Sequence, residues 1–554
     1  MPFQFAHNYQ TQEPYQKAVA YFCMEYGIDQ ALKIYAGGLG FLSGSYMKSA
    51  YELKQNVVGI GILWKYGYYN QIRKQDQTMD VLFEEKSYGF LMDTQIRFTI
   101  KIAKHDVWVA AYYLEPEIFK TAPLFLLTTD LPENDYLAKT ISHKLYDSNP
   151  ETSIAAAILL GAGGAKLLEM LKIDIEVYHL NESHALPLAF YLYNKYKNTD
   201  EVRKRLVYTN HTSEEAGNKK SNITLLDKIG FFCDIPIAEI IAISGSKGND
   251  IDHTLTALRL SGIANGVSEI HQKKLIKLWN QQEGVCEIIS ITNAQSFTYW
   301  HDKEMYQHLS EINFEVNLLK KKRKKILFEI VADQCGEIYD ENICTIIFAK
   351  RFAGYKRADL LLQDVERFEK MVTNKQRPVQ IIWAGKPYPM DYYGIGVFDK
   401  IVNVCKAHNN CAILVGYELT LSKILKSGAD IWLNNPRMFH EASGTSGIAA
   451  AMNGAINIGA PDGWFPEFAK DKTNSFVIPE CDTTLPDHLQ DEADAANLYN
   501  LIENELLPIY YDYPNRWNEI VKKSMQDIIP KFDSNRMAIE YYEKLYNNTE
   551  KKIS

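Results

Sequence analysis

Residues 440–467 read HEASGTSGIAAAMNGAINIGAPDGWFPE. Between Glu441 and Gly447 stand a carboxylate, the small hydroxyls of Ser443, Thr445 and Ser446, and the glycines Gly444 and Gly447. The small apolar run Ile448–Ala451 follows directly. That order predicts a loop closing onto the start of a helix. Free backbone N–H groups and the positive end of the helix dipole then face whatever precedes residue 448. A sugar hydroxyl or a phosphate oxygen suits such a place. Read alone, the stretch is equally an ordinary glycine-rich turn capping a helix.

Working outward, the same grammar recurs. The apolar run 18–28, AVAYFCMEYGI, ends in Glu25 and Gly27, and Gly37-Gly38-Leu39-Gly40-Phe41 then leads into a helix carrying Lys48. Strand, glycine loop and helix let backbone amides approach an anion. The strand Glu176–Leu180 runs into Asn181-Glu182-Ser183-His184, and Leu206–Tyr208 runs into Thr209-Asn210-His211-Thr212. Carboxylate, amide and imidazole groups at neighbouring strand ends are what a sugar crevice needs, because such crevices form at the carboxyl ends of parallel strands. Helix capping by the same residues is the plainer alternative. The strand Cys344–Ala349 is followed at once by Lys350-Arg351-Phe352-Ala353-Gly354-Tyr355-Lys356-Arg357. Arg351 and Lys356 are placed to hold phosphate oxygens, the first bidentately and the second as a point charge. Further strand–helix units follow at 379–383, 412–415 and 431–433. Strands alternating with helices mean a parallel, doubly wound sheet. Residues 72–130 instead alternate apolar and polar in short runs and read as antiparallel strands inserted on a domain edge.

The chain has 554 residues, too many for one core. The expected organisation is an N-terminal domain over 1–320, a second over 321–525, and a C-terminal helix, within 526–554, crossing back to the first. The run Lys320–Lys325 is read as a solvated helix face near the linker. Net charge is −9, from 60 basic and 69 acidic residues, which argues against general nucleic-acid or anionic-membrane binding. Eight scattered cysteines without metal spacing read as reduced thiols of a cytoplasmic protein, and no metal site is expected. The N-terminus lacks a basic start followed by an apolar core, so no signal peptide is expected. The apolar run Ile154–Ala165 is too short for a membrane span and reads as a buried helix.

Glu441–Gly447, Asn453-Gly454 and Asp462-Gly463-Trp464 together resemble the signature segment of the α-glucan phosphorylases (glycogen, starch and maltodextrin), in their short bacterial and archaeal form. The glycine loop, the GYYNQ segment 67–71, the NxxH and NHT elements and the KRxxxYKR spacing resemble the same family in order, over nearly the whole chain. Departures are Phe41 after the glycine loop and TNAQS at 292–296. The resemblance implies a GT-B-type α/β fold, two doubly wound Rossmann-like domains facing a central cleft. It implies that Glu441, Ser443, Gly444 and Thr445 contact hydroxyls of a glucosyl unit, together with Glu182, His184, Asn210 and Tyr417. His211 is expected by the O6 side or the anomeric region. Arg351, Lys356 and the amides of Gly38, Leu39 and Gly40 are expected on a phosphate. The bets for catalysis are His211, Arg351, Lys356 and Glu441.

One difference governs the function. Two residues after the last glycine of the signature, the family carries the lysine that holds pyridoxal phosphate, and here stands Ala449. Alanine has no amine for an imine. No covalent cofactor is therefore expected. A nucleoside diphosphate sugar, inorganic phosphate alone, or nothing would take its place, the last leaving a non-catalytic glucan binder or regulatory partner. Only one of the two acidic positions typical of sugar-nucleotide enzymes is filled: Glu441 is present, but eight residues on is Ala449. The retained cations favour an enzyme, since a retaining transfer needs fixed donors for charge on the departing oxygen. A conventional phosphorylase holding its cofactor non-covalently also stays open. The expected partners are an α-glucan and a phosphate or sugar nucleotide, with a second copy of the chain because family members are commonly dimers.

Overall fold

The computed structural model describes residues 3–213, 217–311 and 315–549. The chain forms two compact units. The first comprises residues 1–68, 83–296 and 534–554, and the second 69–82 and 297–533.

The first unit is built on a nine-stranded sheet. Its strands are β1 (Val19–Phe22), β2 (Val57–Ile62), β5 (Met92–Ile102), β6 (His105–Leu114), β7 (Leu124–Thr128), β8 (Val177–Asn181), β9 (Leu206–Thr209), β12 (Ile263–Gly266) and β13 (Glu287–Ser290). Strands β3 (Asn70–Arg73) and β4 (Met79–Leu82) form a hairpin in the second unit, and β10 (Lys220–Asn222) pairs with β11 (Asp250–Asp252) apart from the main sheet. The order is β13-β12-β9-β8-β1-β2-β7-β6-β5. All neighbours are parallel from β13 to β7, while β6 and β5 run antiparallel at one edge. The fully buried strands read as continuous apolar runs, as a sheet covered on both faces requires. From β1 the chain winds through β2 toward one edge and later returns through β8 toward the other. The topological switch point therefore lies between β1 and β8, where open α/β sheets leave a crevice at their carboxyl ends.

The second unit carries a six-stranded, wholly parallel sheet of β14 (Cys344–Ala349), β15 (Val379–Ala384), β16 (Cys411–Leu414), β17 (Ile431–Asn434), β18 (Ile456–Gly459) and β19 (Phe476–Val477). The order β16-β15-β14-β17-β18-β19 puts its switch point between β14 and β17. Its core joins Ile347, Ile382, Leu414 and Trp432 on the sheet to Leu327, Val331 and Leu425 on covering helices.

Three expectations change. Residues 69–82 belong with the second unit, not with an insertion on the first. Tyr69 OH donates to Pro387 O at 2.7 Å, and the Gln71 side-chain amide bridges Gly385 O at 3.0 Å and Gly416 N at 3.1 Å. The basic run 320–325 is not a uniformly solvated face. It lies inside one helix, Val316–Cys335, continuous across the expected boundary at 320. Lys320 and Lys324, one turn apart, are buried: Lys320 Nζ donates to Ser427 O and Ala429 O, and Lys324 pairs with Asp430 at 2.7 Å. The terminal helix expected within 526–554 is broken. Helix Pro514–Phe532 ends at Asp533 with extended backbone, and Ser534–Glu540 begins a new helix counted with the first unit. There Ser534 N donates to Gln295 O at 3.0 Å and its hydroxyl meets that of Ser49 at 2.6 Å.

The apolar segment Pro150–Met170 is long enough to cross a membrane, yet 78% of its apolar window is buried inside the structure. Gly161 explains the depth. A Cβ there would lie 2.6 Å from Ala185 O and from Leu188 N, so only glycine lets the two backbones approach this closely.

Candidate functional site

At the first switch point, helix Gly38–Glu52 starts directly from the glycine loop. Its first carbonyl bond runs from Phe41 N to Gly37 O at 3.0 Å. The amides of Gly38, Leu39 and Gly40 ahead of it have no carbonyl partner among the described residues, which suits an anion. The loop is held from below by Glu25, a buried carboxylate accepting from Ala36 N at 2.6 Å, Gly37 N at 3.1 Å and Tyr146 OH at 2.6 Å. A Cβ on Gly40 would lie 2.7 Å from that carboxylate and 2.6 Å from the Tyr35 Cβ, hence glycine. Phe41, the departure after the glycine loop, turns inward against Tyr35 and is buried.

Beside it, β8 and β9 deliver Glu182, His184, Asn210 and His211. Glu182 is a non-glycine residue at φ +68°, a strained geometry that persists where surrounding bonds over-determine it. Its carboxylate accepts from His211 N at 2.5 Å, Thr212 OH at 3.1 Å, Ser183 N at 3.3 Å and Tyr208 OH at 3.4 Å. Burial raises its pKa despite these bonds. Asn210 is buried as well, donating to Tyr208 OH at 2.9 Å and accepting from Thr212 N at 2.9 Å. Both side chains, expected on a ligand, are thus spent on shaping the 208–212 loop. His211 lies within reach of Asn181, Nε2 to Oδ1 2.7 Å. Burial lowers its pKa to about 3, helped by His271, His179 and His184, so the ring is neutral at pH 7. Burial likewise lowers His184 to about 4. The buried His184 Nδ1 has no hydrogen-bond partner among the described residues, and its ring packs 5.7 Å from that of Tyr146.

At the second switch point the chemistry is cationic. The four cations of the KRFAGYKR stretch separate. Lys350 turns inward and donates to Asn434 Oδ1 at the end of β17. Asn434 in turn donates to Asn457 Oδ1, and Asn457 donates to Gly447 O at 3.1 Å. Burial, with Lys356 nearby, lowers the Lys350 pKa to about 7. Arg351 is exposed at the start of the loop. Lys356 forms an ion pair with Glu441. Burial opposes its charge most strongly, but the Glu441 carboxylate and Tyr355 together outweigh it and the Lys356 pKa is raised. Arg357 is structural: it bonds Asn435 O at 3.0 Å and Pro436 O at 2.9 Å and pairs with Asp491 and Asp494.

The decisive loop lies alongside. Glu441 N donates to Asp462 Oδ2 at 2.9 Å, and Trp464 N donates to Ser443 O at 3.0 Å. Gly444 sits at φ +81°, and a Cβ there would meet the Glu441 carboxyl carbon at 3.3 Å. The Ser443 hydroxyl is buried with no hydrogen-bond partner among the described residues, so its donor is open to a ligand. Thr445 precedes helix Ser446–Ala451 without capping it by its side chain. Ala449 is fully buried in that helix. Tyr417 OH donates to Ala349 O at 3.2 Å, at the carboxyl end of β14. Lys356, expected on a phosphate, and Glu441, expected on sugar hydroxyls, are therefore brought together as a pair, with Ser443 and Gly444 beside them. Lys350, Asn434, Asn457 and Glu25 were not singled out for the site, and Asn181 entered only as the first residue of the NxxH element. An asparagine between Ile456 and Ile458 in a buried strand was the legible signal for Asn457.

A family model for carbohydrate phosphorylases matches residues 244–478. The maltodextrin phosphorylase of Thermococcus litoralis is 33% identical over 602 residues, covering 98% of this chain and 72% of its own. The chain belongs to the carbohydrate phosphorylase family. Within that family, the glycogen phosphorylase of Aquifex aeolicus is 29% identical over 97% of this chain and 87% of its own. An uncharacterized protein of Methanocaldococcus jannaschii is 42% identical over 96% of this chain and all of its own length.

Proposed function

We propose that this phosphorylase-family chain is a retaining α-glucosyl transferase of the GT-B arrangement, moving glucosyl units to or from an α-glucan with a phosphate or nucleoside-diphosphate leaving group and without covalently held pyridoxal phosphate. The observation that carries the reading is the cation cluster at the second switch point, Lys350 and Lys356, joined to Glu441 beside the orphaned Ser443 hydroxyl. A buried cation pair with a lowered and a raised pKa is poised for an incoming anion. Phosphate exchanges places with the Glu441 carboxylate on Lys356, recharges Lys350 and recruits Arg351. Glu441, released, accepts from sugar hydroxyls, and Ser443 donates to one. In phosphorolysis the bond from the anomeric carbon to the glucan oxygen breaks, that oxygen takes the proton of the phosphate, and a phosphate oxygen bonds to the anomeric carbon on the same face, while the fixed cations hold the phosphate charge. In the first unit the amides of Gly38–Gly40 serve an anion, and His211 meets a sugar hydroxyl.

The residues present do not fit a Schiff-base cofactor. Position 449 offers a methyl group, and the Gly447 backbone is closed off by Asn457 Oδ1 and Asn434 Nδ2, 2.5 and 2.6 Å from where a Cβ would stand. Maltodextrin and glycogen, in the relatives' names, are the proposed glucans. Eight free cysteines support a reducing, cytoplasmic setting, and assembly as a homodimer belongs to the same proposal. The test is phosphorolysis of glycogen and maltodextrin by the purified chain, with and without added pyridoxal phosphate, followed by a screen of nucleoside diphosphates for thermal stabilisation. Glucose 1-phosphate without added cofactor supports the reading. Product only with the cofactor restores a conventional phosphorylase holding it non-covalently. Glucan binding with neither product nor nucleotide response points to the second reading, a non-catalytic binder, which the mutual satisfaction of Lys356 and Glu441 favours.

A further inference from the structure

Three buried residues at the first switch point form a chain that ends on His211. Cys23, just past β1, donates its thiol proton to Glu25 O at 3.1 Å. Burial pushes that thiol up to about 12, so the proton stays on sulfur. With its proton committed, the sulfur has only lone pairs to offer, and Asn181 Nδ2 donates to it at 3.2 Å. That fixes which way the amide points. Asn181 Oδ1 then faces His211 Nε2 at 2.7 Å. A carbonyl oxygen can only accept, so Nε2 carries the hydrogen. A neutral imidazole has one N–H, and Nδ1 is left with its lone pair and no partner among the described residues. The main-chain N–H of His211 is tied to Glu182, which fixes the backbone that carries the ring, and the bond to Asn181 is what orients the ring itself.

We propose that Cys23 and Asn181 are positioning residues that lock His211 in the Nε2–H tautomer and so present Nδ1 as an acceptor for a hydroxyl of the bound sugar. The sugar part rests on the glucosyl-transfer reading; the tautomer does not. The consequence is selectivity. Nδ1 has no proton to give, so this ring rewards a substrate group that can donate, a hydroxyl, and gains nothing from an ether or phosphate oxygen in the same place.

The test is nitrogen NMR of the protein labelled with 15N-histidine, with His211 assigned by its loss in His211→Gln. The free wild type is expected to show a pyrrole-type Nε2 and a pyridine-type Nδ1 at neutral pH. Cys23→Ala frees the amide to turn over, and the two nitrogens should move toward a tautomer mixture although the mutated atom touches neither. Cys23→Ser, whose hydroxyl both donates and accepts, should restore the wild-type pattern. Asn181→Asp should keep it and Asn181→Leu should lose it. If a variant fails to fold, the serine and aspartate variants and the wild-type spectrum still decide. A wild type with a pyrrole-type Nδ1, or a Cys23→Ala protein that keeps a pure Nε2–H tautomer, overturns the lock. Maltopentaose should shift the Nδ1 resonance; a titration that leaves it unmoved overturns the acceptor role. The tautomer is read on the free protein, so absence of phosphorolysis counts against the transfer reading alone.

Discussion

The two switch points solve the same problem in opposite ways. Each gathers buried titratable groups at the carboxyl ends of two parallel strands. Beside the first switch point, at the ends of β8 and β9, the groups are made neutral or held by neutral donors: His211 is discharged by burial, and Glu182 is wrapped by an amide, a hydroxyl and a backbone turn. Between β14 and β17 charge is kept, because Lys356 has Glu441 to pair with, while its neighbour Lys350 has only an amide oxygen and loses part of its charge. The contrast shows that burial alone does not decide protonation; the partner supplied across the switch point does. A neutral, acceptor-rich floor suits hydroxyls and a cationic one suits phosphate.

The largest effect should come from breaking the charged side. Glu441→Ala removes the proposed sugar contact and leaves Lys356 unpaired, and transfer is expected to fall by about 10²–10³-fold, as for loss of one preorganised donor or acceptor in other active sites. Steady-state kinetics with maltodextrin and phosphate measure it; activity within a few-fold of wild type would remove Glu441 from the machinery.

Next comes Lys350. Its folded value near 7 lies below the ordinary 10.5, so the unfolded chain holds more protons between those two pH values and stability should rise with pH across that window. Phosphate should raise the folded value again. Calorimetry near pH 8 in buffers of different ionisation enthalpy should therefore show uptake of up to about one proton per phosphate bound. Lys350→Met should abolish both the uptake and this part of the stability rise, and a variant that keeps them would reassign the proton.

The smallest effect tests the neutral side, and its sign is reversed. The Glu182 pKa is raised above its ordinary 4.5, so the folded state holds its proton longer. Stability contributed by this group is present below pH 4.5 and lost as pH rises through the folded value. Thermal unfolding of Glu182→Gln, subtracted from wild type, should show that slope disappearing. Loss of one carboxylate acceptor from the loop should cost about 1–3 kcal/mol at most, partly offset by relief of its burial. An identical slope in both proteins would mean the carboxylate is not the titrating group.

Much of this was legible before any coordinates. Strands followed by glycine loops and helices dictated parallel, doubly wound sheets, because apolar runs of strand length alternating with helical segments can only be buried that way. The antiparallel edge of β5 and β6 showed in the alternation of Ile96–Ile100 and Val107–Val109. What the order of residues does not carry is which strands become neighbours. Lys350 and Asn434 are 84 residues apart, and Cys23 and Asn181 are 158 apart; they meet because β14 lies beside β17 and β1 beside β8. The assignment of residues 69–82 to the second unit was hidden for the same reason, since Gln71 finds its partners, Gly385 and Gly416, more than 300 positions away. Local pattern therefore determined the kind of sheet and the loops that end its strands. Strand order alone decided which cation is paired, which is half discharged, and which nitrogen of His211 keeps its proton, because a buried group's charge is set by the atoms placed against it.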